Sequence, residues 1–430
     1  MNRTLTLKRG KERVVANKHP WIFAGAVQTE RGPEEAPIGD LVDGEGKRIA
    51  SGFYSRSSQI RLRALTFGDE PVTPELIASR LSAAIARRRP IFDETTNAAR
   101  LVHAEGDDLS SIVIDRFDDV VVVEIANRGA EQFKPLVIDV LQRELSPRAI
   151  FFKNDIPARK LEGLPTSDQV VESTSDQVVE STSRPDDGEG SSTTRRLDDL
   201  QARIRREDDE GSSTTRRLDD LKARILESGL KFHVDPAEGQ KTGFFLDQRE
   251  NRRLARTLAG GRRVLNLFSY SGAFGVYAAA GGATSFTNVD ISARAIDTAR
   301  ENAALNGFEG EHLVADAFQY VRTRHEPFDL LVCDPPAFAK SRNEVERAAR
   351  GYKDVNLFAM RLVSPGGLMM TFSCSGHMSL DLFQKVIFAA ALDAGRRVSI
   401  VRRLTAGPDH PVSLYCPEGE YLKGFLLEIH

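Results

Sequence analysis

Four short apolar runs follow one another in the second half of the chain: Val264 to Phe268, Thr284 to Val289, Glu311 to Val314 and Leu330 to Cys333. The last three end on or near an acid, Asp290, Asp316 and Asp334 in turn. Helical spacing fills the gaps, over Gly272 to Ala280, over Ile296 to Leu305, and from Ala317 through Phe318 and Val321. Strands that alternate with helices pair in parallel, because a parallel neighbour is reached only through a crossover. The pattern predicts a doubly wound α/β sheet, and such sheets place their ligands at the carboxyl edge of the strands, where the three acids gather.

A fifth run, Leu368 to Phe372, follows a stretch of helical spacing from Arg342 to Val363 and leads into Ser373-Cys374-Ser375. One strand, helix, strand unit therefore brings Asp334 and Cys374 to the same edge of neighbouring strands.

The loop after the first run, Ser269-Tyr270-Ser271-Gly272-Ala273-Phe274-Gly275, lacks the Gly-x-Gly-x-x-Gly spacing of a dinucleotide site. S-adenosylmethionine has no pyrophosphate and does not need that spacing. On this reading Asp290 accepts the ribose hydroxyls and Asp316 the adenine amino group. Each acid by itself reads first as an ordinary strand-end cap; three in succession favour the cofactor.

Carbon 5 of cytosine is a poor nucleophile, and a thiolate adding at carbon 6 activates it. Cys374 is placed for that addition, and Asp334 for protonating or hydrogen bonding N3. A plain buried thiol is the alternative for Cys374. Strand alternation turns Cys333 to the opposite face, and Cys416 has no evident partner.

Ahead of this part, short strands broken by Gly and Pro predict a β-rich barrel over residues 1–75, with runs at Leu5-Thr6-Leu7, Trp21-Ile22-Phe23, Asp40 to Val42, Ile49 to Tyr54 and Gln59 to Arg63. Residues 76–163 read as a small mixed α/β unit. Residues 164–229 differ in kind. Thr166 to Ser173 is repeated at once from Thr174 to Ser181, and Gly190 to Ile204 recurs from Gly211 to Ile225 with Gln201 replaced by Lys222. Dense charge and few aromatics predict a disordered insert with short frayed helices around 195–206 and 216–227; the 21-residue period also permits a coiled coil. Residues 230–430 form the predicted sheet domain.

The insert distorts the net charge of −3, since outside it the chain has 49 Lys and Arg against 46 Asp and Glu. The first 21 residues carry Arg3, Lys8, Arg9, Lys11, Arg13 and Lys18 against Glu12 alone, either a phosphate-contacting arm or a solvated terminus. Three scattered cysteines make neither a disulfide framework nor a zinc knuckle, so no metal is expected and a reducing, cytoplasmic setting is. The opening residues lack the apolar run of a signal peptide, and no run approaches a membrane span, so no membrane partner is expected.

Four segments carry a family resemblance: Phe244-Phe245-Leu246-Asp247-Gln248-Arg249-Glu250-Asn251-Arg252, Asn266 to Gly272, Asp334-Pro335-Pro336-Ala337-Phe338 and Ser373-Cys374-Ser375. With His19-Pro20-Trp21-Ile22-Phe23-Ala24-Gly25-Ala26 near the start, the chain resembles the PUA-domain-containing class I methyltransferases that make 5-methylcytosine in large-subunit (23S) ribosomal RNA. The resemblance implies an N-terminal PUA barrel that binds RNA, a small central α/β domain and a C-terminal Rossmann-like domain using S-adenosylmethionine.

Cys374 and Asp334 are the expected catalytic pair. The expected cofactor set is Gln248, Phe268, Ser269, Ser271, Gly272, Asp290, Ser292 and Asp316. Ribosomal RNA is the expected partner, with a homodimer possible. Lys153, Arg159, Lys160, Lys340 and Arg342 are candidate phosphate contacts, and Phe338 either stacks on a flipped base or packs beneath its loop. One departure stands out: wider relatives carry a second cysteine where this chain has Ala337, so product release uses another base. Two other functions fit the same fold, a guanine amino or ring-nitrogen methyltransferase and a noncatalytic RNA-binding assembly factor.

Overall fold

The computed structural model describes residues 2–172, 221–239, 241–339 and 341–430. The first unit is a six-stranded sheet of β1 (Arg3–Leu7), β2 (Trp21–Phe23), β3 (Val27–Arg31), β4 (Ile38–Val42), β5 (Arg48–Tyr54) and β6 (Ile60–Phe67), in the order β2-β6-β5-β4-β1-β3. Alternation along β1 turns Leu5 and Leu7 into a core with Ile22, Leu41 and Leu62, while Thr4 and Thr6 face outward. β3 is a strand that the apolar pattern did not show, because only Val27 of Val27-Gln28-Thr29-Glu30-Arg31 is buried.

The helix Pro74–Arg88 opens the second unit. Thr73 caps it by accepting from the Leu76 amide at 3.2 Å, and Pro74 occupies the first turn, where its missing N–H is harmless. It packs with the helix Lys134–Leu145 on a five-stranded sheet of β7 (Ala98–His103), β8 (Ile112–Phe117), β9 (Val120–Ile125), β10 (Ala149–Phe152) and β11 (Gln169–Glu172), in the order β11-β10-β9-β8-β7.

β12 (Ala223–Glu227) and β13 (Leu230–Val234) make an antiparallel hairpin. Two expectations for the insert are thereby corrected. Residues 169–172 are an edge strand hydrogen bonded to β10, and residues 223–227, expected in a frayed helix, are extended. The reason is alternation: Ala223, Ile225 and Glu227 are buried while Arg224 is exposed, a period of two that a helix cannot satisfy. The expected disorder and the rest of both helices fall on residues 173–220, outside the described residues.

The third unit is a seven-stranded sheet of β14 (Arg263–Leu267), β15 (Ser285–Asp290), β16 (Glu311–Val314), β17 (Phe328–Cys333), β18 (Val363–Ser373), β19 (Val398–Leu404) and β20 (Lys423–Ile429). Its order is β16-β15-β14-β17-β18-β20-β19; the first five strands run parallel and β20 is antiparallel to both its neighbours. Helices on both faces bury the inner strands completely, so Leu330 to Cys333 is apolar without alternation. Cys333 does point away from the neighbouring acid, into the core that holds Met369 and Phe425.

Buried ion pairs clamp the units together. Glu227 accepts from Arg252 Nε at 2.7 Å, from Arg249 Nε at 3.3 Å and from the Tyr277 hydroxyl at 2.9 Å. Arg249 also donates to the Ala98 carbonyl at 2.8 Å and pairs with Asp409 at 3.1 Å. Removing one member of such a network strands a charge, at a cost of about 3–5 kcal/mol.

The first unit is fastened by Trp21 Nε1 to Glu105 at 2.8 Å and by His19 Nε2 to Glu418 at 3.2 Å. His19 Nδ1 accepts from the Trp21 amide, so the neutral ring carries its proton on Nε2 and aims it at Glu418. Cys416, which the sequence left without a partner, lies beside this pair; burial, then Glu105 and Glu418, push its thiol up to about 12.

Candidate active site

The loop after β14 is held in a conformation that L-residues avoid. Phe268, Tyr270 and Gly272 have φ of 56°, 46° and 73°. The loop turns sharply and presents its backbone to a cavity at the carboxyl edge of the sheet. The Tyr270 amide donates to Asp290 Oδ2 and the Ser292 amide to Asp290 Oδ1, both at 2.9 Å, which anchors the loop to the end of β15. Glycine is required at 272 on two counts, its φ and the closeness of the next layer. An added Cβ would lie 2.7 Å from Ala299 Cβ.

The cavity brings together Gln248, Phe268, Ser269, Ser271, Asp290, Asp334 and Cys374. Gly272 shapes the turn behind this wall without lining it. Ser292 caps the helix Ala293–Leu305 by accepting from the Ala295 amide, and it faces a separate depression shared with Ser271 and Arg294. Asp316 caps the helix Ala317–Thr323 by accepting from the Gln319 amide and does not reach the cavity wall. β16 is the outermost strand, which puts Asp316 two strands beyond β14.

β17 and β18 are parallel neighbours, so Asp334 and Cys374 leave the sheet at the same edge, as their strands require. Asp334 Oδ2 accepts from Gln248 Nε2 at 3.0 Å, and Asn251 Nδ2 holds the other end of that amide at 2.6 Å. Burial first, then the charge of Asp247, push the Asp334 carboxyl up to about 7. Cys374 Sγ donates to the Pro335 carbonyl at 3.7 Å; burial and the Asp334 charge raise its thiol to about 11.

Two lining residues, Asp247 and Lys241, escaped the sequence reading, as did Tyr421, which bonds Asp247 from outside the lining. Asp247 is 3% exposed and accepts at Oδ2 from Lys241 Nζ at 2.9 Å and from the Tyr421 hydroxyl at 2.6 Å. Burial would raise its carboxyl, but Lys241, His410 and the Tyr421 hydrogen bond outweigh it and hold Asp247 well below the carboxylate range. Lys241 lies over the Phe245 ring at 4.4 Å. Asp247 stands inside the Phe244–Arg252 segment quoted above, which was the available signal; Lys241 and Tyr421 gave none.

Among the phosphate candidates, two are corrected. Arg159 is 1% exposed and bound to Glu131 and to the Ile125 carbonyl. Lys153 is 9% exposed and its ammonium donates to the Pro236 and Gly239 carbonyls. Both are structural cations, because a buried charge must be paired where it stands. Lys160 and Arg342 are exposed, and Lys340 lies outside the described residues. The Phe338 ring packs on Tyr352 at 4.5 Å, the second of its two expected placements.

A strained small-residue loop, an acid ending the second strand and an acidic cavity at the sheet edge define a nucleotide-type methyl-donor site on a Rossmann-like fold. The chain matches the model of the S-adenosylmethionine-dependent methyltransferase family over residues 165–414 and that of the PUA-like domain over residues 5–67. It belongs to the PUA-containing S-adenosylmethionine-dependent methyltransferases. Relatives include the ribosomal RNA large subunit methyltransferase I of Shewanella denitrificans, 38% identical over 435 residues and covering 99% of each chain. That of Serratia proteamaculans is 38% identical over 439 residues, again covering 99% of each. The solved methyltransferase SMU.776, complexed with SAH, shares the fold along 100% of each chain at a TM-score of 0.75 and 19% identity.

The cavity suits S-adenosylmethionine. Asp247 and Asp290 line it and bring the negative charge that a sulfonium and an ammonium call for. Among the described residues no helix is long and apolar enough to cross a membrane.

Proposed function

We propose that this protein methylates carbon 5 of a cytosine in ribosomal RNA through a covalent adduct to Cys374. The observation that carries the reading is the pairing of Asp334 and Cys374 at adjacent strand ends on one cavity wall. Ribosomal RNA as substrate is supported by the relatives' names and the PUA-like domain.

Gln248, Phe268, Ser269, Ser271 and Asp290 would hold S-adenosylmethionine, with Gly272 shaping their loop and Ser292 and Asp316 fixing the helices that follow. The cofactor supplies the methyl group. Cys374 gives its thiol proton to solvent and the thiolate adds to carbon 6 of the pyrimidine while Asp334, protonated near neutrality, gives its proton to N3. The ring electrons then reach carbon 5, the atom that is methylated. Loss of the carbon 5 proton to solvent, return of the N3 proton to Asp334 and expulsion of the Cys374 thiolate restore the ring. Cys374 loses its proton more readily when a cation shares its cavity, so its high pKa guards the thiol until the cofactor is bound.

The target must leave its helix to reach Cys374. Exposed Lys8, Arg9, Lys11, Arg13 and Lys18, with the half-exposed Phe23 beside them in sequence, form a basic surface suited to the RNA backbone. Mapping 5-methylcytosine in RNA from cells with and without the protein tests the reading. A site that disappears with the protein, and does not return with Cys374→Ala, is the expected result; a site restored in full by that variant would sink the covalent route.

A further inference from the structure

The cavity that holds Cys374 is also lined by Asp247, one of whose buried oxygens has no partner among the described residues. Asp247 Oδ2 takes both hydrogen bonds, from Lys241 and Tyr421, while Oδ1, equally buried, has no donor among the described residues. A buried carboxylate oxygen left open is rare in native proteins, where nearly every buried acceptor finds a donor. The backbone around it is fixed, since the Gly407 amide donates to the Asp247 carbonyl at 3.2 Å. Asp247 lines the active cavity beside Gln248, whose amide holds Asp334. Asp247 and Asp334 line the same cavity, close enough for the charge of one to raise the carboxyl of the other.

We propose that Asp247 Oδ1 accepts the exocyclic amino group of the target base and so selects cytosine over uracil. The assignment rests on the cytosine reading above. Asp334 and Asp247 offer a different hydrogen-bonding partner each. Asp334, raised towards neutrality, is a donor, and Asp247, held ionised by Lys241, is an acceptor at any working pH. Cytosine presents the complement, an acceptor at N3 next to an amino donor at N4. Uracil presents a carbonyl oxygen at carbon 4, which meets the Asp247 carboxylate as one acceptor meets another. Sites built to bond a substrate N–H reject analogues lacking it far more strongly than apolar pockets do.

The test uses two transcripts of the large-subunit RNA, one carrying cytidine at the mapped position and one carrying uridine. Methylated nucleosides are counted by mass spectrometry after digestion. Wild-type protein should prefer cytidine by at least about 10³-fold in kcat/KM. In Asp247→Asn the side-chain oxygen can keep Lys241 and Tyr421 and turn its amide toward the base. That variant should lose about 10²-fold or more of the preference and form 5-methyluridine on the second transcript. Asp247→Ala, which removes the acceptor without adding a donor, should bring the two rates toward parity. The ratio is independent of how much protein folds. An unchanged ratio in both variants, with 5-methylcytidine still formed, overturns the assignment alone. A loss of cofactor affinity with the ratio intact puts the carboxylate on the methyl donor instead and also overturns it. Absence of 5-methylcytidine from the wild-type reaction overturns the cytosine reading, and the assignment with it.

Discussion

Gln248 donates to Asp334 at 3.0 Å and thereby joins the segment that precedes the sheet to the tip of β17, the strand beside Cys374. The bond holds a carboxyl in a place that burial makes costly for its charge. Asp334 is raised to about 7 from an ordinary 3.8, so the folded protein keeps a proton that the unfolded chain releases above about pH 4. The native state then binds more protons than the unfolded one between those values, and stability falls as pH rises through them. Asp334→Asn removes that burden. Its urea midpoint should match wild type near pH 4 and exceed it at pH 7.5 by about 4 kcal/mol in unfolding free energy, while methyl transfer is lost. Parallel pH profiles for the two proteins would refute a buried, raised Asp334.

The raised thiol of Cys374 makes a second expectation. The thiolate is the reactive form, and at about 11 it is scarce in the protein without cofactor. Alkylation of Cys374 by iodoacetamide should climb about tenfold per pH unit from 7 to 9 without levelling. Cys333, wholly buried, should stay unmodified in the native protein. A plateau below pH 9, read by peptide mass, would mean a thiol already activated in the free protein.

Gly272→Ala strikes the loop without removing a functional group. The new Cβ meets Ala299 Cβ at 2.7 Å and Asn288 Nδ2 at 3.0 Å, in a residue already at φ 73°. Strain of about 1–3 kcal/mol is expected from the backbone alone. The loop must shift, and Ser269 and Ser271 move with it. Calorimetry should show S-adenosylmethionine binding weakened about tenfold or more, which corresponds to 1.4 kcal/mol. Unchanged affinity would mean that the turn does not shape the cofactor site.

The sheet and its acids were legible because each signal is local: an apolar run, its end and the helix after it lie within about twenty residues. What failed was decided across the chain. Arg159 looks like any surface arginine until Glu131, 28 residues earlier, is brought against it. β12 was hidden for a different reason. Ala202-Arg203-Ile204 and Ala223-Arg224-Ile225 are the same letters, and sequence alone cannot say which copy finds Phe232 and the Asn97 side chain across from it.

The repeats supply the last expectation. β11 is made by Gln169 to Glu172, within the first copy of the eight-residue unit, and β12 opens with Ala223 to Ile225, the last residues of the second copy of the longer unit. Each folded flank thus uses one copy, the outermost one. Among the described residues, the partners of β10, β13 and Glu227 named above all lie outside the inner copies, 174–181 and 190–204. Loop length between fixed ends changes stability only slowly, by about 0.6 kcal/mol per doubling. A chain lacking both inner copies should therefore fold with a urea midpoint within that margin of the full protein and transfer methyl groups at the same rate. Insoluble protein, or a midpoint lowered by several times that amount, would show that the inner copies carry structural weight.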